Sequence, residues 1–355
     1  MKRRRLPLGF RQSHYDVTNT VKVSDPREVG REVCRLLRDL YPDADVKPAI
    51  QAFDTFARIY TGTLTGYHGC DTWYHDAQHS LDCTLAMVRL TCGHEHSSRL
   101  RHRLGQRRAI LGVMCALFHD VGYIRRTDET EIRNGAELTL CHVTRSGEFL
   151  ADFLPTVGYG REAKMAQEMV QYTGYEKPLD KVAVKNPRDR RLGFLLGTAD
   201  LIAQMSDRAY PEKCRSFLYT EFEACGLAGA GKDGRAPVYS SPDDLLSKTP
   251  EFAKKLFADR LDGYFEGAYH YLDSYFGGQN PYLAEIRKHL NYVRELVDLG
   301  AFERLRRQPE RINAPALRAL MGIRLSDPRS RRLTLPMDTR RTRRAAAGAR
   351  EFVPV

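Results

Sequence analysis

Apolar residues recur at helical spacing along most of this chain, and that pattern restricts the folds it can adopt more than any other feature does. The segment REVGREVCRLLRDLY, residues 27–41, has apolar residues every three or four positions, and so does AIQAFDTFARIYTGTL, residues 49–64. Alternating strand patterns are scarce. We therefore expect an all-α fold, with further helices near 75–92, 107–120, 135–154, 160–173, 190–205, 208–225, 250–276 and 282–299.

Breaks in the helical pattern contain Gly, Pro or Asp, and the longest of them, residues 226–244, is expected to be a surface loop. No internal repeat is evident. The simplest division of the 355 residues has four parts. They are a basic N-terminal extension at 1–25, one helical domain at 26–300, a short helical annex at 301–323, and an arginine-rich, disordered tail at 324–355.

The net charge of +11 is concentrated at the two ends of the chain. Four basic residues at positions 2–5 contribute +4, and nine arginines against three acidic residues in 324–355 contribute +6, which leaves +1 for the rest. A near-neutral body lacks the charge that binding to a nucleic-acid backbone requires. Only the ends are therefore candidates for weak contact with nucleic acid or an acidic membrane surface.

Cysteine usage and hydropathy indicate a cytoplasmic protein. The eight cysteines are scattered and no C-x-x-C pair occurs, which favours reduced thiols over a disulfide framework or a zinc ribbon. The sequence has no apolar run of eighteen residues, so we expect no transmembrane helix. The basic start, MKRRRLPLGFRQSHYD, is not followed by an apolar region of signal-peptide length.

Histidine and aspartate interrupt apolar helical segments at three places. In CALFHDVGYI the apolar run stops at His119 and Asp120, and GFLLGTADLIAQMSD has Asp200 in its interior. In WYHDAQHSLD, His75 and His79 are four residues apart, which places both rings on one face of a helix. A lone histidine or buried aspartate is usually structural, but together these groups are typical ligands of a divalent metal. One metal ion bound by all of these groups explains the buried carboxylates more simply than an independent structural role for each of them.

The segments YHDAQHSLD, ALFHDVGY and TADLIAQMSD together resemble the HD superfamily of metal-dependent phosphohydrolases over roughly residues 70–210. Their YH-x-x-x-H-S part is similar to the signature of the class I cyclic-nucleotide phosphodiesterases. The resemblance implies that residues 26–300 form an HD-domain helical bundle with one or two divalent ions (Mn, Mg, Fe, Zn or Co). It implies metal-bound water as the nucleophile and His75 as the proton donor. The metal ligands that it implies are His79, His119, Asp120 and Asp200.

The sequence departs from the phosphodiesterase pattern at three points. A histidine typically stands four residues after the HD histidine, and Tyr123 occupies that position here. The asparagine that usually follows the first histidine is Asp76. The C-terminal glutamine and phenylalanine that clamp a purine ring are not recognisable. The resemblance therefore implies phosphohydrolase chemistry without specifying a cyclic nucleotide.

The segment EIRNGAELTLCHVTRSGEFL, residues 131–150, supplies three further candidates for the site. His142 is a candidate for completing a second metal site, with support from Glu137. Arg145 lies three residues on and is either a ligand for a substrate phosphate or an exposed arginine on an amphipathic helix.

Polar residues also follow the metal-ligand motifs along the same helices. Asp82 is close enough to His79 in sequence to orient its ring. Gln204 and Asp207 continue the helix face of Asp200 and are expected to line the pocket. One further residue is expected to contact substrate, and the candidates are Arg208, Tyr210 and Lys213.

We expect a divalent-metal-dependent phosphohydrolase that cleaves a phosphodiester or phosphomonoester of a nucleotide-like small molecule. The alternatives are a non-catalytic HD module that senses a nucleotide, and a nucleic-acid-associated protein that acts through its arginine-rich ends. GLAGAGKD, residues 226–233, matches a phosphate-binding loop only formally, because Asp follows the Lys. HEHSSRLRHRLGQRR, residues 94–108, is expected to be a solvated connecting loop.

Overall fold

The computed structural model describes residues 11–231 and 236–323, which fold almost entirely as helices. No β-strand occurs among these residues, where only isolated bridges such as that between Tyr15 and Lys22 are present. The predicted all-α fold is confirmed. The α-helices are α1 (Pro26–Leu40), α2 (Lys47–Tyr60), α3 (Ala77–Ser97), α4 (Gln106–Phe118), α5 (His142–Thr156), α6 (Ala163–Met169), α7 (Pro187–Ser206), α8 (Tyr210–Lys213), α9 (Tyr219–Cys225), α10 (Pro242–Leu256), α11 (Tyr271–Tyr275), α12 (Pro281–Leu299) and α13 (Ala314–Met321).

Short helical turns of other types connect several of these helices. Two of them are π-helical, Cys214–Leu218 and Phe257–Tyr264. The 3-10 turns are Leu100–His102, Val121–Tyr123, Gly135–Leu138, Val170–Thr173, Leu179–Lys181, Ala268–His270 and Phe302–Arg304.

The start of α10 differs from the prediction, because the helix begins inside the segment 226–244 that was expected to be a loop. Ser241 caps α10 by accepting a hydrogen bond from the Asp244 N–H (3.0 Å), and Pro242 occupies the first helical position. Proline suits that position because its missing N–H would have no partner there. The cap and the proline therefore start the helix eight residues earlier than the predicted helix 250–276.

Helices α3, α4 and α7 form the centre of the molecule and pack against one another in pairs. Every residue of α3 from Ala77 to Glu95 is buried, and α7 is buried from Leu192 onward except at Gln204. Helices α1 and α11 cover α3, α2 packs on α4, and α12 packs on α7. A helix buried on all sides has no solvent-facing side, so its polar residues need partners inside the protein.

Residues that precede the helical core in the chain, and residues that follow it, pack onto the core. Arg89 of α3 and Asp16 form a buried ion pair (2.8 Å). On the C-terminal side, the Ala314 N–H donates to the Cys70 carbonyl (2.8 Å), and Leu317 is fully buried. The predicted division of the chain into four parts stays a prediction.

All eight cysteines carry free thiols. Within the described ranges, no helix is both long enough and apolar enough to cross a bilayer. The basic residues 2–5, Lys232 of the formal phosphate-loop match and the tail 324–355 lie outside the described residues.

The ion pair between Asp16 and Arg89 makes the stability of the fold depend on pH. Burial alone would raise the pKa of Asp16, but Arg89 and hydrogen bonds from residues 18, 20 and 21 lower it to about 2. Because this pKa is lower in the folded chain, the carboxylate stabilises the fold above about pH 4, and the stabilisation is lost as the pH falls toward 2. We expect Asp16→Asn to lower the free energy of unfolding by about 2 kcal/mol at pH 7.

Urea unfolding of wild type and Asp16→Asn between pH 7 and pH 2 measures this effect. The difference between the two proteins should shrink below about pH 4. Asp128→Asn is the matched control, because Asp128 is an exposed carboxylate. A stability deficit of Asp16→Asn that does not change with pH would contradict the prediction.

Candidate metal centre

His79 lies in the first turn of α3, where Asp76 caps the helix. The Asp76 side chain accepts a hydrogen bond from the His79 N–H (3.1 Å), and its second oxygen accepts one from the Ile312 N–H (2.8 Å). This cap fixes where α3 begins and so where the His79 ring lies. Asp76, which replaces the asparagine of the phosphodiesterase pattern, therefore serves here as the N-cap of α3.

His119 and Asp120 directly follow the end of α4 at Phe118. His119 Nδ1 donates a hydrogen bond to the Ala116 carbonyl (2.8 Å), which leaves Nε2 as the nitrogen that faces the neighbouring helices. Asp120 and Asp200 are both buried, and Asp200 belongs to α7. Three packed helices thus bring together the predicted ligands His79, His119, Asp120 and Asp200.

The ligand atoms of these four residues lie in close contact. His79 Nε2 is 3.2 Å from His119 Nε2, 3.2 Å from Asp120 Oδ2 and 3.2 Å from Asp200 Oδ1. His119 Nε2 is 3.2 Å from Asp120 Oδ2 and 3.4 Å from Asp200 Oδ1. Each residue contributes one nitrogen or oxygen atom to these contacts.

These separations are suitable for a metal ion. Atoms bound to one ion at about 2.1 Å are about 3.0 Å apart in octahedral geometry and about 3.4 Å apart in tetrahedral geometry. Asp120 Oδ2 is buried and makes no hydrogen bond, although two histidine nitrogens are 3.2 Å away. A buried oxygen without a hydrogen bond is expected where its natural partner is a cation. Two groups of three that share His119 could therefore hold a metal ion: His79 with His119 and Asp120, and Cys83 with His119 and Asp200.

The electrostatics of the centre favour positive charge. Burial alone would lower the pKa of His79, but the carboxylates of Asp120 and Asp200 raise it to about 9. Burial alone would raise the pKa of Asp200, but His119 and His79 hold it below its usual value. Two ionised carboxylates in a buried site need compensating charge, which either protons on the histidines or a metal ion can supply.

Cys83 borders the centre although sequence reasoning did not select it. Its buried Sγ lies within 4.8 Å of ligand atoms of His119 and Asp200. Burial and the nearby carboxylates raise the pKa of the Cys83 thiol. The signal that could have found it is its spacing, since Cys83 follows His79 by four residues on the same helix.

His75 lies beside the centre and is held by Glu221 of α9. The prediction that His75 and His79 share a helix face is wrong, because α3 begins at Ala77 after the Asp76 cap and His75 precedes it. The His75 Nδ1 is 2.5 Å from Glu221 Oε2, and Glu221 Oε1 accepts hydrogen bonds from the N–H groups of residues 73, 74 and 75 (2.7, 2.6 and 3.3 Å). The ring centroid of His75 is 5.7 Å from that of His79. The His75 side chain is 16% exposed, against 6% for His79. No local pattern could have indicated Glu221, because 146 residues separate it from His75.

The Tyr123 ring stacks on the rings of both His75 and His142, whose own centroids are 6.0 Å apart. The Tyr123 centroid lies 4.5 Å and 4.2 Å from those of the two histidines, with angles of 16° and 20° between the planes. His142 Nδ1 donates to the Thr139 carbonyl (2.7 Å), and its Nε2 lies 3.6 Å from Asp120 Oδ1. Asp120 therefore faces the four-residue cluster with one oxygen and His142 with the other.

Glu137 and Arg145 are engaged away from the cluster. Glu137 forms a capping box with Asn134 at the 3-10 turn Gly135–Leu138, which replaces the first turn of the predicted helix 135–154. The Arg145 guanidinium pairs with Glu129 (2.9 Å). In the described part of the chain, neither side chain forms a hydrogen bond or an ion pair with His142.

Several of the remaining polar candidates line a narrow cavity beside His79. Among its lining residues are Tyr74, Asp82, Gln204, Asp207 and Lys213. Gln204 accepts a hydrogen bond from the Tyr74 hydroxyl (3.1 Å), and Asp207 pairs with Lys213 (2.7 Å).

Asp82 does not bond to the His79 ring in the described structure. Its Oδ1 is buried without a hydrogen-bond partner, and burial raises its pKa to about 7. Of the three residues expected to supply a substrate contact, Lys213 borders the cavity, whereas Arg208 donates to the Ser13 hydroxyl (3.3 Å) and Tyr210 packs near His289.

Comparisons of the chain with protein-family models, with curated proteins and with solved structures found no match. The arrangement of the site therefore carries the functional argument.

Metal binding at this centre should stabilise the folded chain. An ion that binds only the folded state at one hundred times its Kd adds about 2.7 kcal/mol to the free energy of unfolding. We expect Mn²⁺ or Zn²⁺ to raise the Tm of chelator-treated wild type by about 3 °C or more. Asp200→Asn removes one ligand charge and should abolish most of this rise, which differential scanning calorimetry measures.

The matched control is Asp16→Asn, which also removes a buried carboxylate but leaves the cluster intact. Its Tm should be lower without metal and should rise on metal addition as much as that of wild type. Equal metal-dependent rises in Asp200→Asn and wild type would argue against the centre.

Proposed function

We propose that the protein is a divalent-metal-dependent phosphohydrolase that cleaves a phosphodiester or phosphomonoester of a nucleotide-like small molecule. The observation that carries this proposal is that two imidazole nitrogens lie 3.2 Å apart, with a carboxylate oxygen of Asp120 and one of Asp200 each 3.2 to 3.4 Å from both nitrogens. The order of these residues in the chain, which resembles that of the HD superfamily, supports the same chemistry. The resemblance does not identify the substrate.

A divalent ion held by this cluster would lower the pKa of a coordinated water and withdraw charge from a phosphoryl oxygen. Of the residues around it, Asp120 and Asp200 contribute two negative charges, which favour a dication over a single proton. His79 and His119 contribute neutral nitrogen ligands that suit Mn, Fe, Zn and Co.

His75 is the proton donor in this proposal. Glu221 engages its Nδ1, so the ring exchanges protons with substrate through Nε2. The Glu221 carboxylate also stabilises the positive charge of the protonated ring before the proton is transferred. The partial exposure of His75 allows a leaving oxygen to reach it, whereas His119 is nearly inaccessible at 1% exposure.

His142 would help to hold a second metal ion in the same proposal. Its Nε2 is 3.6 Å from the Asp120 oxygen that faces away from the four-residue cluster. His142 and Asp120 are therefore the residues that would hold this second ion. Glu176 lies 3.8 Å from His142 Nδ1 and adds negative charge nearby.

Because His75 is the proposed proton donor, the loss of activity on replacing it should depend on the leaving group of the substrate. A nucleoside alkoxide needs a proton to leave, whereas p-nitrophenolate does not. We expect His75→Ala to lower kcat by about 10²- to 10⁴-fold on a nucleotide ester, and by less than about 10-fold on a p-nitrophenyl ester. Assays of nucleoside monophosphates, cyclic nucleotides, p-nitrophenyl phosphate and bis(p-nitrophenyl) phosphate with the metal-loaded chain provide this comparison.

Two further variants extend this comparison, one as a second test of the proton donor and one as a control. Glu221→Gln should show the same dependence on leaving group with a smaller loss, because Gln keeps an acceptor but removes the charge. His270→Ala is the matched control, since His270 is exposed and pairs with Asp273 (2.7 Å). Equal losses on both classes of ester would contradict the role of His75. Absence of turnover, with nucleotide binding retained, would favour the sensing module instead.

A further inference from the structure

A second cleft lies at the opposite ends of α3 and α7 from the metal centre. Its volume is about 340 Å³, and it is formed by the C-terminal end of α3, the loop that follows, the first turns of α7 and the start of α11. His94, which lines it, follows His79 by fifteen residues on α3, or about 22 Å at 1.5 Å per residue. The cleft is therefore separate from the candidate metal centre.

The cleft contains four arginines, Arg99, Arg188, Arg190 and Arg191, and a single acidic residue, Glu266. Arg191 pairs with Glu266, and the Arg188 guanidinium donates to a backbone carbonyl (2.9 Å). Within the described structure, Arg99 and Arg190 are exposed and form no ion pair. At least two guanidinium groups are thus free to bind an anion.

The first residue of α7, Pro187, lines the cleft. The Asn186 side chain caps this helix by accepting hydrogen bonds from the N–H groups of residues 188 and 189 (2.9 and 3.4 Å), so the arginines supply the positive charge of the cleft. Arginine guanidinium groups form charge-assisted, bidentate contacts with phosphate groups.

The shape of the cleft indicates a small ligand. Its volume is within the range of small-molecule sites, and the rings of Phe194 and Tyr271 form part of its wall. The His94 ring packs against Tyr271 at 4.8 Å between centroids and is itself 98% buried, so this wall is well packed. Nucleic acid would need an extended basic surface, whereas the chain outside its two ends has a net charge near zero.

We propose that this cleft binds a small molecule carrying two or more phosphate groups, with Arg99 and Arg190 as the principal ligands of the phosphates. The segment 94–108, expected from sequence to be only a solvated loop, contributes Arg99 to this site. The proposal does not depend on the proposed phosphohydrolase function.

Calorimetric titration of the full chain with pyrophosphate tests the proposal. We expect Arg99→Glu/Arg190→Glu to weaken pyrophosphate binding by at least about tenfold, since two charge-assisted contacts become repulsive. Arg161→Glu/Arg306→Glu changes the net charge equally at exposed arginines outside the cleft and should retain wild-type affinity within about twofold.

Two results would overturn the assignment. They are undetectable pyrophosphate binding to wild type and equal affinity in the two double variants. Tighter binding of a single-stranded oligonucleotide, lost in Arg99→Glu/Arg190→Glu, would instead assign the cleft to nucleic acid and refute the small-ligand proposal.

Discussion

Asp120 and Asp200 are buried together where three apolar helices meet, and the rest of the structure has to accommodate their charge. An ionised carboxylate in such surroundings is stable only with a cation or several hydrogen bonds close by. Here the nearest groups are the Nε2 atoms of His79 and His119, at 3.2 to 3.4 Å, and one oxygen of Asp120 makes no hydrogen bond at all. The helices can pack around this point because its negative charge is compensated locally.

The surrounding residues keep the four ligand atoms in place. The Asp76 cap fixes the start of α3, and the hydrogen bond from His119 Nδ1 to the backbone fixes the ring that follows α4. His75 is fixed by Glu221, which also gathers three backbone N–H groups from the segment preceding α3. Rigid support of this kind is what a metal or catalytic site requires of its surroundings.

Sequence reasoning found the parts of the site that lie within local patterns. The helices followed from apolar spacing, and His79, His119, Asp120 and Asp200 stood out because they interrupt it. Glu221 could not be found in this way, since a carboxylate 146 residues from its histidine leaves no local trace. Arg145 looked available from its helical position, but the loop before α5 supplies Glu129, which pairs with it.

The two ends of the α3 and α7 pair have opposite electrostatic character. One end gathers buried carboxylates that attract cations, and the other exposes arginines that attract anions. Both ends are built on the same two helices, so residues that stabilise their packing support both the candidate metal centre and the proposed anion cleft. This arrangement follows from where His79, Asp200, His94 and Arg190 fall along the two helices.

The metal content of the purified chain decides whether the buried cluster holds a divalent ion. Elemental analysis of wild type and Asp120→Ala, purified in parallel without chelator, should find roughly one or two divalent ions per wild-type chain and a clear loss of metal in the variant. Asp16→Asn, in which a distant buried carboxylate is replaced, should retain the wild-type content. A wild-type chain that carries no metal and takes up none from added Mn²⁺ or Zn²⁺ would contradict the account, and the four-residue cluster would then be a proton-balanced polar network.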